Sequence, residues 1–186
     1  MKWNYQKIKF GGIIMIRTKR LELVEFDIKY ASDLYELWSD FEVIKYTYMP
    51  KLNSVNECIK KIQMFINYTD KEVINNFIIL LDKKAIGVIG SPIIDKSNCI
   101  FGLYYQLAKK YWGNGYISEA MTAFREYIIK KFPDAQFNVE VVCENYTSIA
   151  ILKKNGFKEV NVEKDGFKLN GFKLDLIKFT LSGYLL

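Results

Sequence analysis

Apolar residues change their spacing several times along this chain, and each change marks an element. Leu21, Leu23 and Phe26 stand among charged residues over 18–26, the alternation of a first strand. Asp27 then suits a helix N-cap, and Ala31, Leu34, Tyr35 and Trp38 follow at helical spacing. Residues 41–48 fit a further helical turn, ended by Met49-Pro50. Ser54 with Glu57 has capping-box spacing, and Ile59, Ile62, Phe65 and Ile66 line one face of the helix it opens. The pattern then turns to strands. Residues 76–81, 85–94 and 99–107 form three consecutive strands with turns at 82–84 and 95–98, which predicts an antiparallel meander. A helix follows with Ile117, Ala120, Met121, Phe124 and Ile128 on one face, ending near Lys130-Lys131 before Pro133. Residues 137–142 make another strand. Asn145 starts a shorter helix with Ser148, Ile149 and Leu152 inward, closed by Asn155-Gly156. Residues 157–162 and 173–181 are two last strands around Asp165-Gly166. The order βαα, βββ, α, β, α, ββ predicts a mixed α/β (α+β) fold, a mostly antiparallel sheet flanked by helices, in one domain without repeats or linkers.

Composition narrows the chemistry. Half of the 186 residues are apolar, enough for a substantial core. The net charge of +6 and a pI near 9.0 suit an anionic ligand, but the lysines are scattered and form no arginine-rich block. Cys58, Cys99 and Cys143 are far apart, which argues against zinc and against a disulfide framework. With no histidine, a Ser-His-Asp or Cys-His pair is excluded and metals lose their commonest ligand. No apolar run reaches membrane-spanning length, and a cytoplasmic setting is expected. Residues 1–14 are expected to be an N-terminal extension to a domain spanning 15–186. Gly11-Gly12 implies codons that resemble a bacterial ribosome-binding site, so Met15 is a candidate natural start after a translated leader.

Most of the chemistry sits where the third meander strand becomes a helix, in Lys110-Tyr111-Trp112-Gly113-Asn114-Gly115-Tyr116-Ile117-Ser118-Glu119-Ala120. Two glycines one residue apart let the backbone turn and point several N–H groups at one spot, at the positive end of a helix dipole. The residues alone admit an anion cradle, suited to a pyrophosphate, or a glycine-rich connection with no ligand. They do not form a P-loop, since no Gly-Lys-Ser/Thr follows, and they lack the third glycine and the βαβ setting of a dinucleotide fingerprint.

Three segments together resemble the GNAT acyltransferase superfamily, and within it the ribosomal-protein N-terminal (Rim-type) acetyltransferase branch. Residues 17–23 look like that branch's first strand. The stretch from Lys110 to Ala120 looks like its acyl-CoA pyrophosphate motif. Asn145-Tyr146-Thr147-Ser148 with the later Gly156-Phe157 looks like its Asn-x-x-Ser motif. The resemblance implies acetyl-CoA as co-substrate and an amine as acceptor. It implies a cofactor cradle from the N–H groups of Gly113, Asn114, Gly115 and Tyr116. Lys110 stands where the family usually has Arg or Gln, keeping the charge without the planar fork. Main-chain groups of Gln106, Leu107 and Ala108 would pair with pantetheine as an added strand, and one N–H could hold the thioester oxyanion.

Asn145 would bind the pantetheine arm or simply cap its helix. Ser148 is the implied acid toward the departing thiolate, or a small packing residue. Many relatives place a tyrosine seven residues after the Asn; here that position is Leu152, which leaves Ser148 or water. Without histidine, the base is expected to be a carboxylate acting through water, from among Glu140, Glu144, Glu163 and Asp175. Asp175 matches a position where the branch often has Asp, and is equally suited to a structural hydrogen bond. Glu119 is expected to be structural. The expected protein is a monomeric or homodimeric acetyltransferase acting on a protein N-terminus or a small-molecule amine, without metal, membrane or nucleic acid. The rivals are a silent acyl-CoA-binding sensor of the same fold and, on charge alone, a nucleic-acid-binding module.

Overall fold

The computed structural model describes residues 6–10, 13–70, 74–169 and 171–182. Strands β1 (Gln6–Phe10), β2 (Ile13–Arg17) and β3 (Glu22–Val24) precede helices α1 (Ala31–Ser39), α2 (Phe41–Ile44) and α3 (Val55–Asp70). Then come β4 (Ile74–Leu81), β5 (Lys84–Asp95), β6 (Ile100–Phe101) and β7 (Tyr104–Leu107). The chain finishes with α4 (Tyr116–Lys131), β8 (Gln136–Val142), α5 (Tyr146–Lys154), β9 (Lys158–Leu169) and β10 (Phe172–Ser182). The strands run β1-β2-β3-β4-β5-β6-β8-β10-β9, with β7 beside β5. Only the β6–β8 pair is parallel among the described residues.

β4 explains why its sequence is a continuous apolar run. Phe77 and Ile79 face α4, where Phe77 meets the rings of Phe124 and Tyr127 edge-on. Ile78 and Leu80 face α1 and α3, packing with Leu34, Trp38 and Ile62. A strand covered on both faces has no polar side to alternate with. The capping box forms in part: Ser54 Oγ accepts from Glu57 N at 3.2 Å, while Glu57 Oε2 accepts from Asn53 N at 2.9 Å. The expected turn at 41–48 is α2, opened by Asp40, whose Oδ1 accepts from Glu42 N.

The fold departs from expectation at four places. The first strand is shorter than 18–26, because Thr18 N donates to Leu21 O at 2.9 Å and closes a turn before β3. Residues 6–10, within the expected N-terminal extension, form a hairpin with residues 13–17, with Gln6 opposite Arg17, that extends the sheet through β3. Residues 1–5 and 11–12 lie outside the described residues. The last hairpin does not turn at Asp165-Gly166. β9 continues to Leu169, and the ladder to β10 shifts register between Leu174 and Leu176.

The fourth departure makes the site. Residues 99–107 are not one strand but two. β5 is long enough to pair with β7 over Gly87–Gly90 and with β6 beyond Pro92. The break is held by Ser91 Oγ donating to Gly102 O at 2.6 Å and Gly102 N donating to Pro92 O at 2.8 Å. Gly102 is required here, since a Cβ would stand 2.8 Å from Pro92 Cγ. β6 goes on to pair with β8, whereas β7 does not, so the sheet opens between β7 and β8.

Candidate active site

The opening is a cleft of about 700 Å³. Its walls are β7, the glycine loop with the start of α4, α5, and the turn after α2 with Val43 and Tyr46.

The loop wall is made of backbone. Gly113 and Gly115 sit at φ 78° and 76°, the left-handed region that an L side chain adopts only with strain. The Asn114 side chain donates to Tyr111 O and Trp112 O, and Trp112 Nε1 donates to Leu107 O at 2.7 Å, which closes the loop on β7. α4 begins with no side-chain cap, and its first intrahelical bond is Glu119 N to Gly115 O. The N–H groups of Tyr116, Ile117 and Ser118 therefore lack helical acceptors and lie at the cleft, where helix geometry favours an anion. No atom lies within 4 Å of a Cβ placed on Gly113, so the loop leaves room for a group against its backbone.

Arg20, which sequence reading placed in a strand, holds this loop. Its Nη1 donates to Asn114 O at 3.1 Å, and its guanidinium lies 4.5 Å from the Tyr116 ring centroid. Glu119 gathers the other end, accepting from Thr18 Oγ1, Arg20 N and Arg20 Nε at 2.6 to 2.8 Å. Burial alone would raise the Glu119 carboxyl, but these hydrogen bonds and the Arg20 charge outweigh it and hold the group below its ordinary value. The expectation of a structural Glu119 agrees with this geometry. Lys110 differs from its expected place: its ammonium pairs with Glu36 on α1 at 3.2 Å and does not line the cleft.

Strand register decides what β7 offers. Ala108 N donates to Ile86 O at 2.9 Å, and bonded pairs alternate along an antiparallel ladder. With Gln106 opposite Val88, the backbone groups of Gln106 and Ala108 turn toward β5. Those of Tyr105 and Leu107 turn toward the cleft. Of the three residues expected to pair with pantetheine, Gln106 and Ala108 thus spend their backbone groups on β5, which leaves Leu107 N–H with Tyr105 N–H and C=O on the open side. The Gln106 side chain is instead a buried anchor, accepting from Trp38 Nε1 at 2.7 Å.

The α5 wall is made of side chains. Asn145 Oδ1 accepts from Ser148 N at 3.2 Å, a plain N-cap. Ser148 Oγ lies 2.6 Å from the hydroxyl of Tyr105 across the cleft. Leu152 is fully buried and takes no part. At the far end of α5, Arg125 Nη1 donates to Asn155 O and Asn155 Nδ2 donates to Ser118 Oγ, tying α5 to α4.

Of the four candidate carboxylates, only Glu144 lines the cleft, joined by Glu42, which is ion-paired to Lys45 at 3.1 Å. Glu140 and Glu163 both pair with Lys178. Asp175 lies outside the cleft lining, and its Oδ1 accepts from Asp165 N at 3.0 Å across the bulge of the last hairpin. A left-handed Asp165 (φ 52°) turns that N–H toward it. Among the described residues no group of three or more Cys, Asp or Glu could hold a metal ion.

A helix start with free N–H groups, a strand edge and a hydroxyl pair thus surround an opening between two strands. Residues 20–158 match the family model described as an acetyltransferase (GNAT) domain. The chain belongs to the GNAT acetyltransferase family, and its activity is acetyl transfer. It is 29% identical over 166 residues to an uncharacterized N-acetyltransferase, p20, of Bacillus licheniformis, covering 88% of this chain and 93% of that protein. Its fold is similar to that of RimL, a ribosomal L7/L12 alpha-N-protein acetyltransferase solved with coenzyme A (TM-score 0.83, 20% identity, 90% of this chain and 97% of that one). It is also similar to the microcin C7 self-immunity acetyltransferase MccE solved with acetyl-CoA and AMP (TM-score 0.82, 21% identity, 89% and 93%).

Proposed function

We propose that the protein transfers the acetyl group of acetyl-CoA to a primary amine by direct attack, with no covalent enzyme intermediate. The observation that carries this reading is the opening between β7 and β8, with three unpartnered helix N–H groups at one end and the Tyr105–Ser148 hydroxyl pair further in. The N–H groups of Gly113, Asn114, Gly115 and Tyr116 and of the first α4 turn hold the pyrophosphate. Arg20 keeps that loop in shape. Leu107 N–H and the Tyr105 backbone bind the pantetheine arm as an added strand, with Asn145 on the opposite side. The donor class is also supported by the coenzyme A and acetyl-CoA complexes of the similar structures.

In the reaction the acceptor nitrogen forms a C–N bond to the thioester carbon, the C–S bond breaks, and its electron pair leaves on sulfur. Ser148 donates a hydrogen bond to that sulfur. The acceptor's proton leaves through water to a cleft carboxylate, for which Glu144 is the candidate, since Glu42 is held by Lys45. The acceptor is a protein N-terminus, as for the alpha-N-protein acetyltransferase RimL, or a small-molecule amine. No metal takes part. The setting is cytoplasmic and the protein a monomer or homodimer; none of the described helices is long and apolar enough to cross a membrane.

The test is thiol release from acetyl-CoA across a panel of amines: serine-initiated peptides, polyamines, amino acids and aminoglycosides. Turnover with at least one is expected. Coenzyme A binding without turnover for any of them would favour the sensor. Salt-sensitive RNA binding with no affinity for coenzyme A would favour the nucleic-acid module.

A further inference from the structure

A serine hydroxyl has one proton and several places to send it. In a helix it commonly donates to a carbonyl three or four positions back, which for Ser148, in the first turn of α5, is that of Asn145. A hydroxyl so engaged offers only lone pairs to the cleft, and lone pairs repel a departing thiolate. The structure places a second hydroxyl against Ser148 from another element: Tyr105 Oη is 2.6 Å from Ser148 Oγ and 3.4 Å from Ser148 O. A phenol is a stronger hydrogen-bond donor than an alcohol, and an alcohol oxygen is the better acceptor, so the short bond runs from Tyr105 to Ser148. Burial pushes the Tyr105 phenol up to about 12, against a smaller opposing effect of the Ser148 hydrogen bond, so the phenol keeps its proton at neutral pH.

We propose that Tyr105 is a positioning residue for the transfer: by donating to Ser148 Oγ it directs the Ser148 proton into the cleft, toward the sulfur that leaves. The inference rests on the acetyl-CoA reading above. No proton moves between the two side chains. When the C–S bond breaks, the electron pair stays on sulfur, and the thiolate is held by the Ser148 O–H until water protonates it. Each hydrogen bond in such a chain polarises the next, so the Ser148 proton is a better donor with Tyr105 behind it than alone. Tyr105 reaches this position because β7 carries its side chain toward α5 while the neighbouring Gln106 is turned into the core.

The experiment needs no acceptor. Coenzyme A and desulfo-coenzyme A are each bound to the wild type and to Tyr105→Phe, Ser148→Ala and the double variant. The thiolate absorbance of bound coenzyme A is then titrated, as the difference between the two complexes. Other titratable groups of the cleft, among them Glu42, Lys45, Glu144 and Lys154, are common to all four proteins. In the wild type the bound thiol should titrate below free coenzyme A. It should rise by about one unit in Tyr105→Phe, by a similar amount in Ser148→Ala, and no further in the double variant. Affinity for desulfo-coenzyme A should stay within about twofold throughout, since that ligand lacks the sulfur. An unchanged thiol titration in Tyr105→Phe overturns the proposal, as does an additive rise in the double variant. Loss of desulfo-coenzyme A affinity in Tyr105→Phe overturns it too, by giving the tyrosine a merely structural role. A wild type that binds neither ligand defeats the acetyl-CoA reading itself.

Discussion

The two walls of the cleft are built by different means. On the loop wall the groups facing the opening are backbone N–H groups, aimed by Gly113 and Gly115 at positive φ and braced from behind by Arg20 and Glu119. On the α5 wall they are the side chains of Asn145 and Ser148, with Tyr105 crossing from β7 to meet the serine. The backbone wall suits a ligand part that never changes during reaction, because its donors are rigid and carry no titratable group. The side-chain wall suits the reacting end, where a donor must respond to charge that develops only as the bond breaks.

That contrast can be broken most sharply at the loop. Gly115→Asp puts a carboxylate in the proposed pyrophosphate cradle, and coenzyme A affinity measured by calorimetry should fall about 100-fold, nearly 3 kcal/mol, with the fold checked by circular dichroism. Unchanged affinity in a folded variant would remove the cradle from this wall. Ser148→Ala addresses the other wall: kcat should fall about tenfold while KM for acetyl-CoA hardly moves. A risen KM with kcat intact would turn Ser148 into a binding residue and erase the division between the walls.

The brace behind the loop is next. Glu119→Gln keeps the shape but loses the charge that serves Arg20 and Thr18, and urea unfolding at pH 7 should show a loss of about 1–3 kcal/mol. Because the folded carboxyl is held below its ordinary value of 4.5, its stabilisation is present above that pH and is lost as pH falls through the folded value. The gap between wild type and variant should therefore narrow below pH 4.5; a constant gap would mean that packing, not charge, is what Glu119 supplies. The smallest effect belongs to Lys110→Ala, whose exposed ammonium sits on Glu36 and away from the cleft. Coenzyme A affinity should change less than about twofold, and a larger loss would show that the lysine swings to the phosphates when they bind.

How much of this could be read along the chain follows the same division. The glycine pair between strand and helix was legible because a tight loop needs its special residues adjacent. The caps at Asn145 and Ser54 were legible for the same reason. Arg20 was not, since its partner Glu119 lies 99 positions away and no local spacing links them. The break between β6 and β7 was also hidden. Gly102 looks like any glycine within a strand until Pro92 is found against it. With the break unseen, Gln106, Leu107 and Ala108 looked equivalent, and only the pairing of β7 with β5 showed which edge each one faces. Asp175 stood in a plausible last-strand position, but the hairpin turns later than expected and its bulge consumes the carboxylate.

The amino-acid order by itself determined the helices, the strand-to-helix loop with its glycines and the helix starts. Each depends on residues within a turn or two of one another, where propensity and capping act. The tertiary structure alone decided that the sheet opens between β7 and β8, that the side chain of Tyr105 goes to α5 while that of Gln106 goes to Trp38, and that the Tyr105 hydroxyl meets Ser148. Those outcomes depend on register and on contacts between distant segments, and a shift of one residue along β7 would have exchanged the faces of Tyr105 and Gln106.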